Sequence, residues 1–140
     1  MRLWHKDLIP VLPDKQLIGQ WRECCAIAKN IAEKGTPNHL LVNKVMEYPL
    51  NNFNYYTALL ECEMAKRGFR FNTDCFADWL RKEDGTLPYP YPAYDELFAD
   101  WHNERYLKQC YYNLQEKYDC GGITNEEWMK IVERVKGVDW

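Results

Sequence analysis

The sequence predicts an all-α fold, a single compact domain of about four to six helices over residues 1–140, and three observations predict it. Apolar residues recur at helical spacing in several separate stretches, those stretches stop at glycine or proline, and one of them opens with a capping box. A chain of 140 residues is near the commonest size for one domain, and 46% hydrophobic with 15% aromatic residues is enough to fill a core.

After Pro13-Asp14, the residues Leu17, Ile18, Trp21, Cys24, Cys25, Ala28 and Ile31 form an apolar stripe that fades at Lys34-Gly35, which predicts a first long helix. The stripe centres between Leu17 and Trp21, so Arg22 and Glu23 fall on the polar side. Gly35-Thr36-Pro37-Asn38 reads as a loop and His39 to Met46 as a short helix that Pro49 breaks. A second helix runs through Tyr55, Leu59, Leu60, Cys62, Glu63 and Lys66 and stops at Gly68. Thr73 or Asp74 can cap a short helix carrying Phe76, Trp79 and Leu80. Alternating prolines in Leu87-Pro88-Tyr89-Pro90-Tyr91-Pro92 hold that stretch near polyproline II. From Tyr94 to Tyr118 another long helix is predicted, with Leu97, Trp101, Tyr106 or Leu107, Cys110, Tyr111 and Leu114 inward and Gly121-Gly122 at its end. Thr124 and Glu127 make the capping box of a last helix through Trp128, Ile131, Val132 and Val135.

No apolar run approaches the ~18 residues that span a bilayer, so no membrane association is expected. The opening Met1-Arg2-Leu3-Trp4-His5-Lys6 lacks the apolar stretch of a secretory signal, which predicts a cytoplasmic, reducing location. The six cysteines are then expected as thiols. Cys24 and Cys25 are adjacent on a helix and point apart, and Cys110 and Cys120 with His102 match no familiar ligand spacing, so no metal is expected. The net charge of -3 is unevenly distributed. Residues 1–82 hold 12 Lys/Arg against 9 Asp/Glu, and residues 83–140 hold 6 against 12, so any basic surface is N-terminal.

Periodicity alone identifies no active site, and P-loop, dinucleotide-turn, HExxH and nucleophile-elbow patterns are absent. What stands out is Met1-Arg2-Leu3-Trp4 followed by Asp14, Leu17 and Trp21-Arg22-Glu23, then Asn38-His39, then Glu63-x-x-Lys66-Arg67-Gly68-Phe69. These four motifs, in this order over residues 1–72, resemble the pyrimidine-dimer DNA glycosylase and abasic-site lyase family, the phage-type endonuclease V and its bacterial relatives. The C-terminal half is similar only in being helical and aromatic.

The resemblance implies a small all-helical fold whose N-terminal segment threads between helices, and a nucleophile that is the α-amine of the first residue, here Met1. An unperturbed α-amine titrates at about 7.7–8.0 against about 10.4 for lysine, so part of it is neutral near neutral pH and can attack. Glu23 aligns with the family's catalytic glutamate; Arg2 and Arg22 match positions that hold phosphates and the glycosidic region. Lys66 and Arg67 are further DNA-backbone candidates, and His39 carries over as a site-lining or a structural residue. Trp21, at the centre of the apolar stripe, is expected in the core rather than as a base-stacking wedge. The partner implied is double-stranded DNA containing a lesion or an abasic site, bound by a monomer with no metal or organic cofactor. Arg2 is too large for removal of the initiator methionine, so Met1 is expected to stay; the acidic balance predicts weaker, more salt-sensitive DNA binding than in the basic phage form. The competing reading is a non-catalytic helical interaction module on the same scaffold, binding through the tyrosine-rich 89–94 segment. The two differ at the N-terminus, because only the enzyme needs the Met1 amine within reach of Glu23.

Overall fold

A computed structural model describes residues 1–72 and 91–140. The helix expected after Thr73 or Asp74 and the prolines at 88 and 90 lie outside the described residues, which contain helices and turns and no strand.

Helix α1 spans Asp14–Lys34, as the stripe predicts. Pro13 enters it with the φ that a ring imposes, Asp14 sits at the positive end of the helix dipole, and Gly35 ends it in the left-handed region at φ 74, its N–H bonded to the Ile31 carbonyl. Helix α2 spans Leu50–Lys66. It starts before the expected Tyr55 because its first turns bury asparagines, which break the apolar pattern: Asn52 accepts the Phe98 N–H at 3.0 Å. The stretch from His39 to Met46 is not one helix but a turn followed by a 3-10 segment at Asn43–Glu47. Asn38 adopts φ 58 ahead of it, and the Asn43 side chain takes the His39 N–H that a helix would have left for a cap.

The long helix expected from Tyr94 is also shorter. Tyr94–Glu96 is a 3-10 turn, Phe98 and Asp100 have positive φ, and helix α3 begins only at Glu104 and runs Glu104–Asp119. Asn103 is the reason, because its side chain caps the Tyr106 N–H at 2.9 Å and fixes the first turn there. Leu97 and Trp101 still reach the core from the irregular stretch. Gly121 closes α3 at φ 84, and the Thr124/Glu127 capping box opens α4, Asn125–Arg134.

Helix α1 packs on α2 and α3 packs on α4, while a 3-10 turn at Lys6–Val11 lies against both α2 and α4. The N-terminal segment therefore runs through the middle of the molecule. Leu3, Leu8 and Leu12 join Leu17, Ile27, Phe53, Leu60, Leu114 and Ile131 in one buried cluster. Each such side chain contributes roughly 1.5–3 kcal/mol by leaving water, which is why the opening residues stay in place. The five described cysteines are free thiols, Cys24 and Cys110 buried and Cys62 and Cys120 exposed.

Candidate active site around the threaded N-terminus

Residues 2–5 lack regular secondary structure, so their buried peptide groups need partners from elsewhere. Three helices supply them. From α1, the Gln20 amide donates to the Arg2 carbonyl at 2.8 Å and accepts the Trp4 N–H at 2.6 Å, acting as a stand-in peptide group. From α2, the Tyr56 hydroxyl donates to the Trp4 carbonyl at 2.6 Å and lies 3.1 Å from the same Gln20 oxygen. From α3, the Tyr106 hydroxyl donates to the Leu3 carbonyl at 2.5 Å. Burial pushes both phenols up, so each stays protonated and keeps its donor. Beyond them the Lys6 N–H donates to His102 Nδ1 at 3.0 Å, and the Lys6 ammonium is buried on the Tyr94 and Leu97 carbonyls.

The segment surfaces at its start. Leu3, Trp4 and His5 are buried, Arg2 is half-buried and Met1 is 39% exposed. Glu23 lies about one helical turn beyond Gln20, half-buried, with Oε2 3.3 Å from the Gln20 amide and 3.5 Å from the Arg2 N–H. That N–H belongs to the peptide joining Met1 to Arg2, so Glu23 faces the peptide group next to the residue that carries the α-amine. The Arg2 guanidinium lies 5.1 Å from the Trp4 ring centroid, and Arg22 is exposed beside Glu23 on α1. An open cleft of about 560 Å³ begins at Arg2 and continues between the 41–44 turn and the start of α3, with Lys44, Trp101, Arg105 and Tyr106 on its walls.

The remaining candidates sit apart from this group. His39 is half-buried and holds a turn, its N–H on Asn43 Oδ1 at 2.9 Å and its Nδ1 accepting from the Leu41 N–H. Arg67 donates to the carbonyls of Leu12 at 2.6 Å and Pro10 at 3.1 Å and pairs with Asp14 at 3.0 Å and Glu63 at 2.9 Å. This set of partners makes it a clamp between α2 and the Lys6–Val11 turn. Lys66 is exposed on the same side, beside Tyr94 and Arg134, and neither residue borders the cleft at Arg2. Trp21 is buried, edge-on to Phe71. His5 and His102 stack at 5.1 Å between centroids, and burial lowers the pKa of both.

Sequence reasoning gave no site role to Gln20, Tyr56 or Tyr106. Gln20 carried a signal, because it stands three residues after Leu17 and one before Trp21, inside the apolar arc, where a polar side chain needs a buried partner. The tyrosines carried none, since their partners are backbone carbonyls of a segment with no regular structure.

An all-α fold wrapped around its own N-terminus, with a glutamate beside that end, is the class of protein the four motifs imply. The model of the pyrimidine dimer DNA glycosylase family matches residues 1–77, more than half of the chain, and the chain belongs to that family. No curated protein and no solved structure matches it.

Proposed function

We propose that the chain excises damaged pyrimidines from double-stranded DNA and then cuts the abasic strand, with the Met1 α-amine as nucleophile and Glu23 as its acid–base partner. The supporting observation is the Arg2 N–H facing Glu23 Oε2 at 3.5 Å, at the end of a segment that three helices hold in place. A neutral amine attacks C1′, the glycosidic electron pair leaves with the base, and the base or its leaving atom takes up a proton. The ammonium so formed gives one proton to Glu23, which passes it to O4′ as the C1′–O4′ bond opens and the freed nitrogen lone pair forms a cationic imine. Glu23 removes the C2′ proton, and the electrons of that bond expel the 3′ phosphate by β-elimination. The anionic carboxylate also faces the cationic sugar that precedes adduct formation.

Arg2 and Arg22 flank this pair and suit the phosphates on either side of the lesion. Lys66 is an outlying contact. The acting species is a monomer in the cytoplasm and needs no metal or organic cofactor. Pyrimidine dimers are the first substrate to offer, on the strength of the family. The test is a duplex with one abasic site, incubated with untagged protein and borohydride. A covalent protein–DNA species is expected, and Glu23→Gln is expected to slow strand cleavage; no adduct from a protein with a free amine would contradict the proposal.

A further inference from the structure

The turn at residues 39–42 exposes two adjacent leucines, Leu40 at 87% and Leu41 at 54%. One exposed leucine is ordinary. This pair is held by a hydrogen-bonded turn. The His39 carbonyl accepts the N–H groups of Val42 and Asn43 at 3.0 and 2.8 Å, the Asn43 side chain returns to the His39 N–H, and Asn38 holds φ 58 with its N–H on Thr36 Oγ1. Pro37 on one side and Val42 on the other are buried, so the turn cannot fold its leucines inward without extracting its own anchors.

Its surroundings match one kind of partner. Leu41 lies on the wall of the cleft that begins at Arg2, and Lys44 and Arg105 line the same cleft against a single acidic side chain, Asp100. Apolar side chains at a tip, flanked by cations, fit a base step between two phosphate rows, where the leucines enter the stack and the cations take the strands. The chemistry at Met1 requires such a device, because C1′ is inaccessible in a stacked duplex.

We propose that Leu40 and Leu41 form a wedge that unstacks the duplex beside the lesion, with Lys44 and Arg105 holding the phosphates that flank the opened step. The wedge is a positioning element and rests on the reading of the Met1 site as a DNA-lesion enzyme. It places the duplex across the cleft with the damaged nucleotide toward Arg2 and Met1.

The test separates unstacking from chemistry. A duplex carrying 2-aminopurine beside a stable abasic analogue is titrated with wild type, with L40S/L41S and with a distant surface control, Met129→Ser on α4. Wild type and the control are expected to brighten the probe on binding, and L40S/L41S is expected to bind with the fluorescence rise reduced about tenfold. The ratio of borohydride adduct on duplex to adduct on single-stranded abasic DNA is expected to fall by about the same factor in L40S/L41S. Equal brightening by wild type and L40S/L41S, or none by saturated wild type, would overturn the wedge. If wild type brightens the probe and L40S/L41S does not, but wild type traps neither substrate, the wedge stands and the lyase reading fails.

Discussion

Residues 1–72 and residues 91–140 contribute to the candidate site in different currencies. The first region, which the family match covers, holds the groups to which the proposed chemistry is assigned: the α-amine of Met1, Glu23, Arg2 and Arg22. Both regions hold the threaded segment, and the second supplies position alone. Tyr106 holds Leu3, His102 holds Lys6, the Tyr94 and Leu97 carbonyls hold the Lys6 ammonium, and Arg134 Nε donates to the Asp7 carbonyl at 2.8 Å. A segment that threads a core needs walls on every side, and only one wall carries the candidate reactive groups. The other can differ in sequence so long as it presents donors and acceptors at the right places.

The sharpest way to break this division is at Glu23. Glu23→Gln keeps the hydrogen-bonding shape beside Arg2 and removes the base, so strand cleavage is expected to fall by about 10²–10⁴, measured by single-turnover gel assay. Cleavage at the wild-type rate would remove Glu23 from the chemistry.

The next effect is on stability. Tyr56→Phe leaves the buried Trp4 carbonyl without its hydroxyl donor and is expected to cost about 1–3 kcal/mol in urea denaturation. Tyr106→Phe removes a half-buried donor from Leu3 and is expected to cost less, about 1 kcal/mol, while lowering the trapping rate, since its partner is two residues from the proposed nucleophile. Equal trapping by Tyr106→Phe and wild type would show that the second wall is not needed for positioning.

A pH effect sharpens the same point. Burial, then the nearby His5 and Lys6 charges, hold His102 well below its ordinary range, while the unfolded chain takes up the proton near pH 6.5. The unfolded state binds more protons below that value, so the stabilising contribution is complete above about pH 6.5 and declines as the pH falls, by up to about 1.4 kcal/mol per unit for one histidine. Thermal melts from pH 7.5 to 5 should show this decline, and His102→Asn should flatten it. His5, lowered mainly by burial but opposed by Asp7, adds in the same direction.

The smallest effect separates neighbours at the end of α2. Lys66→Ala is expected to weaken DNA binding slightly and to reduce the salt slope by about 0.9, as for one lost phosphate contact. Arg67→Ala is expected to lower Tm, since it frees the Leu12 and Pro10 carbonyls, and to leave that slope unchanged. A reduced slope for Arg67→Ala would make it a DNA contact after all.

Helices whose ends are set by local chemistry were legible in the residues. Asp14–Lys34 follows from its stripe and Gly35, and α4 from the Thr124/Glu127 box. Elements set by distant partners were not. The break at 97–103 depends on positive φ at Phe98 and Asp100 and on the Asn103 cap, and the early start of α2 depends on Asn52 meeting Phe98. The candidate site was half legible for the same reason. Met1, Arg2, Arg22 and Glu23 stand in motifs, whereas Gln20, Tyr56 and Tyr106 act on a backbone whose path only the folded chain defines.

The most direct test of the central claim is to digest the borohydride-reduced adduct and locate the sugar remnant by mass spectrometry. The account predicts that it sits on the α-amine of Met1 and that chemical acetylation confined to that amine prevents it from forming. A remnant on a lysine ammonium, or an adduct that survives acetylation of Met1, would contradict it.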